Sequence, residues 1–403
     1  MGWAKEQLMR QQELGYSSSG DKYVCSNCFG NDIIKKFIKR SKKENYCNYC
    51  NRKAKKPIST HLDKVIEFLL EGIYTEWEDP NDSVGWDDGW VGATVISGDE
   101  LIYDYLWDDI DAQNDTLLDD IADSLRDGEW CRQNPYSLSQ HEEDFIDWQH
   151  FCEMVKHKMR YVFYSEKIGE EDNYGEIKRP YQILDRLGQV VNQLGLIKEI
   201  EKGKIIYRVR QREKSESYKT VEKLGPPPLE FAKYANRMSP AGVVMFYGAF
   251  EKETALAETC QKVDKPIFVT ISSFKLLTAL RVLDLTALPT VPSLFDSKGR
   301  HLRNAIIFLR DFLRDIIKPI EKDGREHIEY VPTQIITEYF RFIFRDENGQ
   351  SIQAISYPSS RKEDGIACVL FYDIENCTQD DRSDDLTDKT LCLITSTIEE
   401  TEI

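Results

Sequence analysis

The 403-residue sequence lacks the apolar segments that membrane insertion and secretion require. No window approaches about 18 uninterrupted apolar residues, so we expect no membrane-spanning helix. The opening stretch, MGWAKEQLMRQQELGY, has no apolar core of a signal peptide, and Glu6 breaks the myristoylation pattern that Gly2 begins. We therefore expect a soluble, cytoplasmic protein that has no membrane partner.

Several motifs of nucleotide and nucleic-acid enzymes are also missing. The sequence has no GxGxxG and no Walker motif, so neither a Rossmann domain nor a P-loop NTPase has local support. No helical arginine precedes a histidine at the Arg-x4–6-His spacing of HEPN-class RNases, so we assign no nuclease activity. His301 and His327 are isolated, and the four C-terminal cysteines, which have no basic neighbours, are typical of buried thiols.

Positive charge is scarce in one segment of the chain. The net charge is −17, and between Glu76 and Asp147 there are 22 acidic residues against only Arg126 and Arg132. Such a protein is poorly suited to binding phosphate backbones over its whole surface. The segment is nevertheless rich in aromatic residues, so we expect it to fold, with Trp77, Trp86, Trp90 and Trp107 in its core.

Four of the ten cysteines form two CxxC pairs, Cys25 with Cys28 and Cys47 with Cys50, separated by 18 residues. This spacing is typical of the tetrahedral four-cysteine site of a zinc ribbon, in which zinc has a structural role. Two disulfides are the alternative, which a cytosolic protein disfavours. Basic residues at 35–43 and 52–56 could contact nucleic acid, but we favour a solvated face that balances the acidic segment.

The C-terminal half shows a regular order of helix and strand patterns. Apolar spacing predicts an amphipathic helix from Phe145 to about Phe163, another helix over 180–200 and a strand over 204–210. A short buried strand is predicted from Val243, with Gly248 closing it, and a helix begins at Thr254. The prolines at 226–228 form a rigid loop before a predicted helix that carries Arg237. A later strand ends at Tyr357-Pro358 and leaves Ser359 in a turn.

Six segments of this half occur in one order: RVR, LGPPP, NRMSPAGVVMFYGAFEKETALAE, YVPTQIITEYFR, ISYPSSR and CVLFY. In this order they resemble RES-domain proteins over residues 195–375. That family is named for an Arg, a Glu and a Ser, and its best-known members are NAD+-destroying toxins of toxin–antitoxin modules. The cysteine pairs and the helix around Trp148 are similar to the HEPN/RES N-terminal domain of larger RES proteins.

The resemblance implies a fold and a set of site residues. The fold is α+β, with an ADP-ribosyltransferase-like mixed sheet and helices, preceded by a zinc ribbon and a mainly helical acidic domain. We place the ribbon in 1–57, an acidic, Trp-rich regulatory domain in 58–178 and the catalytic domain in 179–403. The family positions fall on Arg208, Arg237, Tyr247, Glu258 and Ser359, with Arg210 and Ser360 as alternatives to Arg208 and Ser359, and with Ser239 where the family often has Asn.

These residue types suit cleavage of the bond between nicotinamide and ribose. The reaction develops positive charge on the ribose, which the carboxylate of Glu258 can stabilise. Arg208 and Arg237 can grip the pyrophosphate or an incoming phosphate, Tyr247 can contact a flat ring, and Ser359 can donate to the ribose or the amide.

The sequence therefore favours an NAD+ phosphorylase or glycohydrolase, for which NAD+ is a substrate and zinc a structural cofactor. Its N-terminal region would control access or sense a trigger in antiphage defence. The resemblance also implies a homodimer and an antitoxin or trigger protein. An ADP-ribosyltransferase that modifies a macromolecule, or a non-enzymatic zinc-ribbon protein that binds nucleic acid, are the alternatives.

Overall fold

The computed structural model describes residues 15–161, 179–260, 266–320, 324–380 and 388–403. The chain divides into two units, each with its own core. The N-terminal unit contains residues 1–140 and 291–304, and the C-terminal unit contains 141–290 and 305–403. The division at residue 140 falls inside the 58–178 segment that the sequence treats as one domain. No described helix combines the length and the apolar character needed to cross a bilayer.

The N-terminal unit is built from short strands and helices. Its strands are β1 (Tyr23–Cys25), β2 (Ser59–His61), β3 (Trp77–Glu78), β4 (Val95–Ser97) and β5 (Glu129–Arg132). Its helices are α1 (Asp32–Ser41), α2 (Leu62–Ile73), α3 (Gly98–Glu100), which continues through a π-helical segment (Leu101–Leu106) into α4 (Trp107–Ile110), and α5 (Asp115–Leu125). β1 pairs with β2, and β5 lies between β3 and β4.

An ion-pair network holds the inserted segment 291–304 within this unit. The Arg303 guanidinium donates to Asp109 at 3.0 and 3.2 Å and to Glu76 at 3.2 Å. Leu294 and Phe295 complete the apolar core that α2 begins. Two members of the acidic segment therefore have a structural role, since they neutralise an arginine that is largely buried.

The prediction that the tryptophans of the acidic segment form its core is wrong for two of them. Trp77 is buried, whereas Trp86 is 66% and Trp107 is 55% exposed. Leu106 and Ile110 occupy the buried side of the helix around Trp107, so the indole lies on its outer face. Trp86 packs edge to face against Trp90 within a surface loop, at 4.9 Å between ring centroids.

The C-terminal unit is built around a mixed sheet of parallel and antiparallel strands. This sheet, together with the helices, confirms the predicted α+β fold class. Its strands are β6 (Ile197–Ile200), β7 (Ile205–Arg212), β8 (Phe246–Ala249), β9 (Phe268–Leu276), β10 (Leu280–Asp284), β11 (Ala354–Pro358), β12 (Ile366–Leu370), β13 (Cys377–Gln379), β14 (Leu391–Leu393) and β15 (Glu399–Glu402). The strand order is β13-β14-β9-β7-β8-β12-β11-β10-β6, and β15 pairs with β9. The β10–β11 and β13–β14 pairs are parallel, and the other pairs are antiparallel.

Helices pack on the faces of this sheet. They are α6 (Gln140–Glu153), which continues as a π-helical segment (Met154–Lys158), α7 (Pro180–Gln193), α8 (Val221–Leu224), α9 (Lys252–Thr259), α10 (Arg303–Ile317), α11 (Glu326–Glu329) and α12 (Val331–Glu338), which continues as a π-helical segment (Tyr339–Ile343). The amphipathic pattern predicted from residue 145 therefore gives a real helix. The predicted end of that helix near Phe163 is wrong, because the helix stops at Lys158 and Met159 has extended backbone angles (φ −150°, ψ 117°).

Helix α6 belongs to the core of the C-terminal unit. Trp148, Phe151 and Val155 are buried together with Leu309 and Phe312 of α10. The Trp148 indole also donates to the Asp315 carboxylate at 2.8 Å. A truncation at residue 179 would remove this helix and expose the apolar surface that it covers.

Replacement of Trp148 by alanine should strongly destabilise the C-terminal unit. The change removes a buried ring and leaves Asp315 without its indole donor, so we expect a loss of about 3–5 kcal/mol. Hydrogen–deuterium exchange of the β11 and β12 amides should accelerate accordingly. Trp107→Ala is the matched control because it removes an exposed indole. Equal exchange in the two variants would contradict the assignment of α6 to this core.

Candidate active site

A cavity of about 950 Å³ opens in the C-terminal unit. This volume is in the range typical of small-molecule sites. Its walls include residues of the strands β7 and β8 and of helix α9. Residues 326–330, which contain α11, and residues 357–361 also contribute. Four of the five predicted site residues line it, namely Arg208, Arg237, Tyr247 and Glu258.

Glu258 lies in the last turn of α9 and is exposed to the cavity. The fifth predicted residue, Ser359, donates a hydrogen bond from Oγ to Glu258 Oε1 at 2.5 Å. The same Oγ accepts from the backbone amides of Arg361 at 3.1 Å and Lys362 at 3.2 Å. These amides use the lone pairs of the hydroxyl, which leaves its proton for the carboxylate. Ser359 therefore orients Glu258, while its neighbour Ser360 contributes to the cavity wall.

Arg208 lies on β7, and its Nη1 donates to the backbone oxygen of Tyr247. The guanidinium lies 4.9 Å from the centroid of the Phe246 ring. Its Nε is buried and has no hydrogen-bond partner among the described residues. Burial, and then the nearby charge of Arg210, lower the pKa of Arg208 to about 9. The side chain is still cationic at neutral pH, and an anion in the cavity would offset the cost of burying it.

Arg210 lies on the same face of β7, two residues further on, and also lines the cavity. Its Nη2 donates to the Gly225 carbonyl at 2.5 Å, and burial lowers its pKa. The structure thus brings both arginines to the cavity. They differ in their backbone partners, since Arg208 donates to the carbonyl of Tyr247 and Arg210 to that of Gly225.

Arg237 is held by a turn and not by the helix that the sequence predicts. Backbone bonds between Asn236 and Ser239 at 2.8 and 3.3 Å close this turn, and Gln334 Nε2 donates to the Asn236 carbonyl at 2.9 Å. The Arg237 guanidinium donates to the carbonyls of Ile316 and, at 2.8 Å, of Lys318. These contacts fix a partly buried cation in the cavity wall.

Tyr247 lies on β8, and its hydroxyl is 2.8 Å from Ser239 Oγ. Burial raises the pKa of Tyr247 to about 12, so the hydroxyl keeps its proton at neutral pH.

Gly248, which was predicted to end this strand, lies inside it, and the strand begins at Phe246. A Cβ at Gly248 would lie 2.5 Å from Ile206 Cγ2, so close packing against β7 explains the glycine.

Several aromatic or titratable residues of the cavity wall were not assigned to the site from the sequence, among them Tyr330, Tyr357 and His327. The Tyr330 ring lies 5.8 Å from the Arg237 guanidinium, and burial raises the pKa of Tyr357 well above its ordinary value. Both tyrosines stand inside the YVPTQ and ISYPSSR segments, which could have signalled them. His327 lies three residues before Tyr330, which is about one helical turn. This distance from the YVPTQ segment is the one feature of the sequence that could have indicated His327.

The four cysteines of the N-terminal unit form one cluster. Their Sγ atoms all lie within 4.8 Å of one another, with separations of 3.8 Å for Cys25–Cys28, 3.5 Å for Cys25–Cys50 and 3.6 Å for Cys28–Cys47. A tetrahedral Zn–S distance of about 2.3 Å places sulfurs roughly 3.8 Å apart, whereas a disulfide needs about 2.05 Å. The cluster fits a metal ion, and the geometry excludes the disulfide alternative.

Basic residues next to this cluster lie on the surface. Helix α1 buries Ile34 and Ile38 and exposes Lys36, Lys39 and Arg40. This is the amphipathic arrangement of a surface helix, and the preference for a solvated face over a nucleic-acid contact stays a prediction.

Comparison with protein families identifies both parts of the chain. Residues 40–168 match the HEPN/RES N-terminal domain 1, and residues 205–390 match the RES domain. No curated protein and no solved structure is detectably similar to the chain. The RES match contains all five predicted site residues.

Anion binding should depend on Arg208. We expect inorganic pyrophosphate to raise the melting temperature of the wild-type protein, because it neutralises a buried and incompletely paired guanidinium. The Arg208→Met variant should retain less than about half of this shift. Arg314→Met, which removes an exposed arginine that pairs with Asp311, should retain all of it. An unchanged shift in Arg208→Met would exclude the cavity as the anion site.

Proposed function

We propose that this chain, which carries a RES domain after a HEPN/RES N-terminal domain, is an enzyme that degrades NAD+. The reaction cleaves the bond between nicotinamide and ribose. The observation that carries the proposal is the carboxylate of Glu258, oriented by Ser359 at a cavity that four arginines also line. Its support is chemical: a carboxylate and several guanidiniums in one cavity match a substrate that has both a ribose that becomes cationic and a pyrophosphate.

The role of Glu258 follows from the charge that the reaction creates. Nicotinamide leaves as a neutral ring, so it needs little protonation, and positive charge develops on the ribose. A carboxylate beside that ribose stabilises the charge most when it is already fixed in place. One carboxylate oxygen of Glu258 accepts from Ser359, so the other oxygen can face the ribose or hold the acceptor.

The arginines and the tyrosine would hold the remainder of the substrate. Arg208 and Arg237 are partly satisfied by backbone carbonyls and still carry charge that a pyrophosphate can pair with. Arg210 adds a third guanidinium and could bind an incoming phosphate. Tyr247 is protonated at neutral pH, and burial raises its pKa further, to about 12, so it can donate a hydrogen bond as well as contact a ring.

The acceptor of the ADP-ribosyl group is water in a glycohydrolase and phosphate in a phosphorylase, and the proposal covers both reactions.

We further propose a toxin-like role in which NAD+ loss serves antiphage defence and the N-terminal region regulates the enzyme. The support is that the two domains lie in one chain. The homodimer and the separate antitoxin stay predictions from the family resemblance.

Zinc is the proposed metal of the cysteine cluster, with Cys25, Cys28, Cys47 and Cys50 as its ligands. Four thiolates leave no open position on a tetrahedral ion, so the metal would stabilise the fold and take no part in the reaction.

Replacement of Glu258 by glutamine should lower NAD+ consumption by about 100-fold or more, because the amide cannot stabilise a cationic ribose. The measurement is the rate of nicotinamide release by the purified full-length protein. Glu253→Gln is the matched control, since Glu253 is an exposed glutamate in the first turn of the same helix. Equal rates for Glu258→Gln and the wild type would sink the proposal.

Loss of one cysteine ligand should release the metal and unfold the ribbon. We expect one zinc ion per wild-type chain by elemental analysis, and far less than one in Cys47→Ala. Amide exchange over residues 23–61 should accelerate in this variant. Cys131→Ala, which changes a buried cysteine outside the cluster, should keep its zinc. A metal-free wild-type protein with slow exchange over 23–61 would contradict a structural zinc site.

A further inference from the structure

The chain segment 226–242, here called the rim segment, exposes two large aromatic rings beside the cavity. Phe231 is 62% and Tyr234 is 84% exposed, and both line the cavity. Exposed aromatic residues that are scattered singly over a surface need no explanation, but two on one short loop at the edge of a cavity do.

Backbone contacts hold the rim segment in place without burying these rings. The Phe231 amide donates to the Pro228 carbonyl at 2.9 Å, and the Gly242 amide donates to the Ala232 carbonyl at 2.7 Å. Gly242 has a φ of +86°, a backbone conformation that favours glycine, where the segment returns to the sheet. The turn at Arg237 closes the other side of the loop. The rings are therefore presented on a fixed backbone.

The rings of the rim segment and the arginines of the cavity wall differ in exposure. Tyr234 and Phe231 are largely exposed, Arg237 is partly buried, and Arg208 Nε is fully buried. A flat apolar group at the mouth would meet the aromatic rings, while an anionic group attached to it would meet the guanidiniums. Lys233, between the two rings in sequence, also lines the cavity and adds a cation beside them.

From this arrangement we propose that Phe231 and Tyr234 form a stacking platform for the adenine base of NAD+, an inference that rests on the proposed function. Stacking of a base on an aromatic side chain needs no hydrogen-bond partner on that side chain, which suits two exposed rings. The adenine then lies at the mouth, the pyrophosphate at the arginines, and the nicotinamide ribose at Glu258. The rim segment selects an adenine dinucleotide over smaller phosphates.

The test compares ligands that do and do not carry the base. Wild-type protein should bind ADP at least about ten times more tightly than inorganic pyrophosphate in calorimetric titration. Tyr234→Ala and Phe231→Ala should each weaken ADP binding by about tenfold, which is within the range of single base–aromatic stacks, and leave pyrophosphate binding unchanged. Tyr234→Phe, which keeps the ring, should bind ADP like the wild type.

Leu229→Ala is the control within the same loop, because Leu229 is 71% exposed and lies outside the cavity lining. It should bind both ligands normally. Equal ADP affinity in Tyr234→Ala and the wild type, or a wild type that binds ADP no better than pyrophosphate, overturns the proposal. So does a change of oligomeric state in the ring variants with ADP affinity intact, since the rings would then form a subunit contact. These titrations need no turnover, so they stand apart from the NAD+ cleavage assay.

Discussion

The hydrogen bond from Ser359 to Glu258 is the contact on which the candidate site depends, because it fixes the carboxylate. It forms only if helix α9 is held against the turn between β11 and β12. Glu251, the residue before α9, accepts hydrogen bonds through Oε2 from Thr254 at 2.9 Å and from the Ile366 amide at 3.0 Å. The Ser359 amide donates to the Gly365 carbonyl at 2.8 Å. One glutamate thus joins the start of the helix to β12, and a second, at its end, meets the serine.

The buried positive charge of β7 is the second constraint. Arg208 and Arg210 lie two residues apart on one strand face, and each has a buried Nε without a hydrogen-bond partner among the described residues. Burying two like charges this close costs stability, which an apolar pair at the same positions would avoid. A ligand with two linked negative charges, such as the pyrophosphate of the proposed substrate, would offset this cost. On the proposed function, the site would gain affinity for its substrate at the same residues that cost the ligand-free protein stability.

Local patterns predicted the elements that carry the site better than they predicted packing partners. Pro358 does end β11 and leaves Ser359 in a turn, because proline and the serine motif act within a few residues. The exposure of Trp86 and the turn at Arg237 depend on tertiary contacts, such as the bond from Gln334 to the Asn236 carbonyl, that no nearby residue encodes. The amphipathic pattern around Trp148 likewise shows that α6 has an apolar face but not which unit covers it.

The most direct test of the account is product analysis of NAD+ labelled in both its nicotinamide and its adenylate parts. The wild-type protein should release free nicotinamide together with ADP-ribose in the absence of phosphate, or ADP-ribose phosphate when phosphate is the acceptor. Label transferred to protein or nucleic acid would instead indicate an ADP-ribosyltransferase. Recovery of intact NAD+, or of AMP with nicotinamide mononucleotide, would contradict a carboxylate that acts at the nicotinamide ribose.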